Sequence, residues 1–94
     1  MKIAWRRGAI EDLVDLRAYI AERNPRAAEK VAQAIGSTVD HLADFPMTGH
    51  SGRIENTRET VVSGTPYIVA YAVSEDTVKI LAVLHGARRW PEKL

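Results

Sequence analysis

The chain has 94 residues, no cysteine and a formal charge of +1, from 13 Lys and Arg against 12 Asp and Glu. This length supports one domain, residues 1–94, and the lack of cysteine excludes disulfides, thiolate metal sites and a cysteine nucleophile. No apolar run in the sequence approaches the ~20 residues that a membrane span needs. We therefore expect a soluble, cytoplasmic protein with no signal peptide and no membrane segment.

Basic residues are concentrated at the two ends of the chain. The near-neutral net charge argues against a protein that coats nucleic acid by charge alone. If the fold brings the ends together, their bases would form a local patch; solvated termini are the alternative, and charge alone favours them. The bases concerned are Lys2, Arg6, Arg7, Lys79, Arg88, Arg89 and Lys93.

The start of the chain predicts a strand followed by a helix. Residues 2–6 alternate polar and apolar side chains, which is typical of a short strand with Ile3 and Trp5 on one face. From Ala9 the apolar period lengthens, and acidic side chains lie near the start of the predicted helix, where the helix dipole favours them. The predicted apolar stripe of this helix consists of Ile10, Leu13, Leu16 or Arg17, and Ile20.

Asn24-Pro25 predicts both the end of the first helix and the start of a second. Proline cannot continue a helix but suits its first position, and asparagine is a good N-cap. So short a connection predicts an antiparallel helical hairpin, which Phe45-Pro46 ends, and residues 47–57 are predicted as a long irregular loop. The second helix has an apolar stripe of Ala28, Val31, Ile35, Val39 and Leu42.

Three strands are predicted after the loop, over residues 58–63, 67–73 and 77–85. Their short connections predict an antiparallel meander. The predicted order is β-α-α-β-β-β, an α+β fold in which the helical hairpin packs on one face of a small antiparallel sheet. The last strand is apolar on both faces, yet one hairpin covers only one face. A second cover is therefore expected from the C-terminal tail, a second copy or a partner protein.

Few residues have the pattern of a chemical site. His41, His50 and His85 match no metal motif, so we expect no metal and no cofactor. His85 lies beside a pair of arginines and could act as an acid or base on a phosphodiester; a strand-end histidine packed against the tail is the favoured alternative. The arginines suit phosphate or carboxylate recognition and suit ion pairs with Glu55, Glu59 and Glu92 equally well. These arginines are Arg53, Arg58, Arg88 and Arg89.

A resemblance to a known family extends over nearly the whole chain. It is carried by DLVDLRAYIAERNPRAAEKV (12–31), LADFPMTGHSGR (42–53), TRETVVSGTPYIVAYAV (57–73) and VKILAVLHGARRWP (78–91), in this order and at these separations. The sequence resembles the RelE/ParE toxin superfamily of type II toxin–antitoxin systems and is most similar to its ParE branch. The resemblance implies a small β-α-α-β-β-β toxin that is bound and neutralised by a cognate antitoxin.

The superfamily contains two mechanisms, and single positions distinguish them. Members of the RelE type cut mRNA on the ribosome with bases on the central strands and a tyrosine or similar group near the C-terminus. Their strand arginine corresponds to Ile68 here, their lysines correspond to Glu59 and Val61, and the tyrosine falls near Leu94. The arginine after the last strand is kept, as Arg88. RNA cleavage needs an acid, a base and a cation beside the phosphate, so this chain departs from the nuclease pattern unless His85 substitutes.

ParE-type members are associated with poisoning DNA gyrase, so the resemblance implies a non-enzymatic toxin that inhibits gyrase by binding. Growth inhibition and plasmid stabilization are the implied roles, with no sequence-specific nucleic-acid binding by the toxin alone. The expected target-binding residues are Arg88, Arg89 and Lys93. The expected antitoxin-binding residues are Arg58, Ile68, Leu81 and Val83. Two alternatives stay open: an mRNA endoribonuclease that uses Arg58, His85 and Arg88, and a degenerate toxin that only binds its antitoxin.

Overall fold

Two helices pack across one face of a five-stranded sheet in the computed structural model, which describes all residues from 1 to 94. The α+β class, the helical hairpin and the three-strand meander are all confirmed. Neither helix is both long and apolar enough to cross a membrane. The elements are β1 (Lys2–Trp5), α1 (Arg7–Ala21), α2 (Pro25–Asp44), β2 (His50–Ser51), β3 (Arg58–Val61), β4 (Tyr67–Ser74) and β5 (Thr77–His85).

The sheet is mixed rather than purely antiparallel. Its strand order is β1-β5-β4-β3-β2, and β1 pairs in parallel with β5, so that Trp5 lies opposite Ile80. The predicted irregular loop contains the two-residue strand β2, which extends the sheet beyond β3. Neither feature has a local sequence signal: β2 is too short to show a period, and β1 joins a strand more than seventy residues away.

The first helix faces the sheet with a stripe shifted from the predicted one. Ile10 is 48% exposed, whereas Ala9 is fully buried, so the prediction of Ile10 in the stripe is wrong. Arg6 is the single residue between β1 and α1, and the strand therefore sets the rotation of the helix. The observed stripe follows spacings of four, three and four residues, through Ala9, Leu13, Leu16 and Ile20.

The second helix forms as the sequence predicts. The Asn24 side chain accepts a hydrogen bond from the Ala27 N–H at 3.0 Å, and Pro25 is the first helical residue. At the other end, the Phe45 N–H donates to the His41 carbonyl. The predicted stripe packs on the sheet, with Val31 half-buried and the others buried, namely Ala28, Ile35, Val39 and Leu42.

A β-bulge in the last strand decides which residues face the helices. Tyr71 pairs with Ile80 and Ala70 pairs with Ala82, so Leu81 has no partner on β4. After the bulge the alternation reverses, and Val83 lies in the core at 4% exposure. Val83 was expected to contact an antitoxin, but its side chain is buried in the core between the sheet and the helices and is not available on the outer face.

The helical stripe can be tested by comparing one core and one surface isoleucine. Ile35→Ala should lower the free energy of unfolding by ~2–5 kcal/mol, because Ile35 is fully buried and its loss leaves a cavity. The matched change Ile10→Ala on the exposed side of α1 should cost less than about 0.5 kcal/mol. Urea unfolding of both variants measures the difference, and equal losses would contradict the assignment of α2 to the core.

Candidate functional site

A cleft of about 410 Å³ lies between α1, the ends of β4 and β5, and the start of the C-terminal tail. Asp12 and Asp15 on α1 form one wall, and His85, Arg88 and Arg89 form the other. The Arg88 guanidinium carbon lies 5.7 Å from the centroid of the Tyr19 ring, within range of a weak cation–π contact. The fold therefore brings together His85, Arg88 and Arg89, which the sequence singled out.

The contacts of His85 are those of a structural residue. Its Nδ1 accepts a hydrogen bond from the Ala87 N–H at 3.1 Å, so the neutral ring carries its proton on Nε2. Its ring meets Tyr67 edge to face, with centroids 5.5 Å apart. These contacts match the favoured interpretation of His85 as a strand-end histidine packed against the tail.

Asp12 caps the free edge of β5. The pairing of β1 with β5 ends at Trp5 and Ile80, so β1 does not reach Val83. The Val83 N–H donates instead to the Asp12 carboxylate at 3.0 Å. Burial raises the pKa of the Asp12 carboxyl above its ordinary value of 3.8; the Val83 hydrogen bond opposes the rise, and the charges of Asp15 and Glu11 add to it. This carboxylate closes an edge that would otherwise be open to strand addition.

Arg58 is engaged by the loop before β3 and is not available to the cleft. Its Nη2 donates to the Gly49 carbonyl at 2.6 Å and to the Met47 carbonyl at 3.3 Å. The buried Tyr71 hydroxyl holds the same loop, donating to the Pro46 carbonyl at 2.8 Å and accepting from the Gly49 N–H at 2.9 Å. Arg58 thus anchors this loop, and its expected role in antitoxin contact stays a prediction.

The three residues of the nuclease alternative do not converge. Arg58 pairs with Tyr71 and His85 pairs with Tyr67, four residues apart on β4. At about 3.4 Å per residue and about 4.8 Å per strand, their Cα atoms lie roughly 13 Å apart along the sheet and 10 Å across it. Arg58 and His85 therefore sit beyond the reach of one phosphodiester, and only His85 and Arg88 share the cleft.

The outer face of the sheet, opposite the helices, carries a cluster that the sequence did not single out. Glu59 is 2% exposed, and its carboxylate accepts hydrogen bonds from the Arg53 N–H at 2.7 Å and from Arg53 Nε at 3.3 Å. His50 Nε2 lies 3.8 Å from the same carboxylate. The Arg53 guanidinium carbon is 3.5 Å from the centroid of the Trp90 ring. The sequence allowed an Arg53–Glu59 ion pair, but nothing in it indicated a role for Trp90.

The remaining predicted residues lie along the outer face and the tail. Ile68 and Leu81 are half-buried, whereas Arg88, Arg89 and Lys93 are exposed. The two ends of the chain meet at a second cleft of about 370 Å³, with Arg6 and Arg7 on one side and the tail on the other. The basic ends therefore come together, which charge alone did not favour. No group of three or more His, Asp or Glu side chains is arranged to hold a metal ion.

Bacterial proteins are similar to this chain in sequence, and a solved structure is similar to it in fold. The model of a family described as the ParE toxin of type II toxin–antitoxin system parDE matches residues 3–90. Putative toxin Y4kP of Sinorhizobium fredii (strain NBRC 101917 / NGR234) is 43% identical, over 99% of this chain and 96% of that protein. Toxin RelE2 of Caulobacter vibrioides is 33% identical, over 93% of this chain and 97% of that protein.

A solved structure of the chromosomal ParDE TA system from P. aeruginosa has the same fold. The TM-score is 0.80 over 88% of this chain and 92% of that one, at 22% sequence identity. Fold and sequence thus define the toxin component of a type II toxin–antitoxin system. Within that class, the chain belongs to the ParE toxin family.

The edge-capping role of Asp12 predicts a specific pH dependence. The pKa of Asp12 is raised on folding. Between the pKa of the unfolded chain and that of the folded protein, the folded protein therefore keeps a proton that the unfolded chain has released. The free energy of unfolding falls as pH rises through this range. Asp12→Asn removes the ionisation but keeps an acceptor for the Val83 N–H. It should match or exceed the wild-type stability at neutral pH and lose this fall with pH.

The control for this prediction removes the acceptor as well. Asp12→Leu leaves the Val83 N–H without a partner and should cost ~1–3 kcal/mol at every pH. Urea unfolding of the three proteins from acid to neutral pH measures both effects. An Asp12→Asn variant as unstable as Asp12→Leu would contradict the capping role.

Proposed function

We propose that this toxin inhibits DNA gyrase by binding rather than by catalysis, and that a cognate antitoxin neutralises it. The single observation that carries the proposal is the buried Glu59–Arg53 pair on the outer face of the sheet. The resemblance assigns the strand bases of the RNA-cleaving branch to this region. Here a carboxylate occupies it and is neutralised by an arginine from the neighbouring loop.

The chemistry of RNA cleavage explains why this pair matters. Stabilising a cleaved phosphodiester requires free cations and a proton donor aimed at the scissile phosphate. A buried carboxylate repels the phosphate, and the one cation beside it, Arg53, is already paired with Glu59. The neighbouring positions Ile68 and Val61 offer only apolar side chains. This face therefore favours binding over phosphodiester chemistry.

The exposed bases of the tail are the proposed contact with the target. Arg88, Arg89 and Lys93 are exposed and form no ion pair within the chain. Free guanidinium and ammonium groups on one short segment suit an acidic surface of a protein partner. Because gyrase is a cytoplasmic enzyme, the proposal also requires that the toxin acts in the cytoplasm.

The antitoxin is proposed to contact the outer face at Ile68 and Leu81. Both side chains are half-buried beside the tail, so further apolar area remains to be covered. Burying that area by a partner segment would stabilise the folded toxin in proportion to partner concentration. The melting temperature of the toxin should therefore rise as purified antitoxin is added.

The second candidate function, RNA cleavage, is favoured by the cleft that brings His85 beside Arg88 and Arg89. His85→Gln tests it, because glutamine is polar and similar in size to histidine but cannot act as an acid or base near neutral pH. Growth inhibition by a folded His85→Gln protein should match the wild type. Loss of toxicity in a folded variant would favour the nuclease instead.

Removing the tail charges tests the gyrase proposal directly. The variant Arg88→Ala/Arg89→Ala/Lys93→Ala should raise the concentration that half-inhibits purified gyrase supercoiling by about tenfold or more, equivalent to about 1.4 kcal/mol of binding energy. The matched control, Arg23→Ala/Arg26→Ala/Lys30→Ala, removes the same net charge from exposed sites on and between the helices and should change inhibition less than about twofold.

The same assay distinguishes the three functions. Gyrase inhibition by the wild type, with filamentous growth and DNA-damage signalling in cells, supports the proposal. Intact gyrase activity together with early arrest of translation would favour RNA cleavage. A protein that binds its antitoxin but affects neither process would be a degenerate toxin.

A further inference from the structure

The C-terminal segment, residues 86–94, first lines the cleft beside α1 with Arg88 and Arg89 and then lies against the outer face of the sheet from Trp90 onward, with few polar contacts. Near its start, the Gly86 N–H donates to the Pro66 carbonyl at 2.8 Å and the Arg88 N–H donates to the His85 carbonyl at 3.1 Å. No hydrogen bond or salt bridge joins residues 89–94 to the rest of the chain. The segment must therefore be held on the sheet by other contacts.

The outer face beneath this segment is nonetheless dry. Ala70 is fully buried and Ala82 is 4% exposed, although both lie on the side of the sheet away from the helices. Pro91 and Leu94 lie over Ala82 in the second cleft. The C-terminal segment thus supplies the second cover that the apolar last strand required, the tail being one of the three covers considered.

A chain of contacts links this segment to the rigid sheet. The Glu59 carboxylate on β3 accepts hydrogen bonds from the backbone N–H of Arg53 and from the Arg53 guanidinium. These bonds fix the guanidinium plane above the sheet. The Trp90 ring then stacks on that plane at 3.5 Å. No other aromatic or charged contact is made by residues 89–94.

Docking of the C-terminal segment also has an unfavourable contribution, which arises at Trp90. The Trp90 Nε1–H is buried and has no hydrogen-bond acceptor. A buried donor without a partner opposes docking, because the same group would be hydrated if the segment were free. The stacking of Trp90 on Arg53 must therefore offset the loss of hydration at Nε1.

We infer that Arg53 and Trp90 form a clamp that holds the C-terminal segment on the outer face, and that both are positioning residues for Arg88, Arg89 and Lys93. Holding a flexible basic segment in one place lowers the entropy lost when it binds a partner. The part of this inference that concerns gyrase rests on the proposed function, whereas the clamp itself does not.

The clamp is tested by the order of the segment in solution. Trp90→Ala should lower the backbone ¹⁵N order parameters of residues 89–94 from about 0.85 to below about 0.6, while Trp90→Phe, which keeps an aromatic ring, should remain close to the wild type. Arg53→Lys keeps the charge beside Glu59 but loses the planar stacking surface, and should loosen the segment to a similar degree.

A double variant separates the clamp from general loosening. In the Trp90→Ala background, Arg53→Lys should cause no further loss of order, because both changes break one contact. The control Arg23→Lys, at a residue that takes part in none of the aromatic, charged or hydrogen-bond contacts of the segment, should have no effect. An ordered segment in Trp90→Ala, or additive effects of the two changes, would overturn the clamp. Melting temperatures of all variants confirm that the domain itself stays folded.

The functional part has its own measurement. If the wild type inhibits gyrase, Trp90→Ala and Arg53→Lys should each weaken inhibition at least about threefold, and Trp90→Phe should restore it. A loosened segment with unchanged inhibition would overturn the positioning role. If the wild type does not inhibit gyrase, the proposed function fails, and the order parameters alone decide the clamp.

Discussion

A carboxylate buried in a sheet must be neutralised, and Glu59 imposes this constraint on the outer face of the molecule. Removing an ionised group from water costs several kcal/mol unless a partner and hydrogen bonds replace the water. Arg53 supplies both, through its backbone N–H and its side chain. The loop that precedes β3 must therefore return to the sheet. Once it does, the guanidinium offers a flat surface on which Trp90 can stack.

The same loop is held from the opposite face of the sheet by Tyr71. The hydroxyl of this buried side chain bonds the Pro46 carbonyl and the Gly49 N–H, while Arg58 bonds the Gly49 carbonyl. A Cβ on Gly49 would lie 2.5 Å from the Tyr71 hydroxyl and 2.6 Å from the Glu59 carbonyl. Only glycine allows the loop backbone to lie this close to Tyr71 and β3. This explains the glycine at position 49 in the segment FPMTGHSGR.

Most of the fold could be predicted because its determinants are local. Asn24 and Pro25 define the boundary between the helices, and the period of α2 identifies its core residues. The features that the sequence did not predict depend on residues that are distant along the chain. Ala9 replaces Ile10 in the core because β1 sets the rotation of α1, and the bulge at Leu81 places Val83 in the core. Parallel pairing of β1 with β5 leaves no local trace.

The candidate site was less predictable than the fold. Sequence position indicated that His85, Arg88 and Arg89 lie close together, and the cleft brings them together. It could not indicate that Arg58 is consumed by loop carbonyls, because an arginine in a strand looks the same whether it is free or bonded. Trp90 gave no signal either, since its role depends on Arg53 and Glu59. Three strands lie between Arg53 and Trp90 along the chain, and Glu59 is on the first of them.

The core and the outer face of this fold place different demands on the sequence. The core requires only volume and shape at positions such as Ile35 and Tyr71, and these requirements are independent of the target. A free cation on the outer face would remain hydrated and ready for a phosphate. Glu59 instead draws its cation into a pair, and that pair serves as a platform for the tail. The charge of Glu59 thus holds Arg53 in place, and Arg53 in turn supports the C-terminal segment through Trp90.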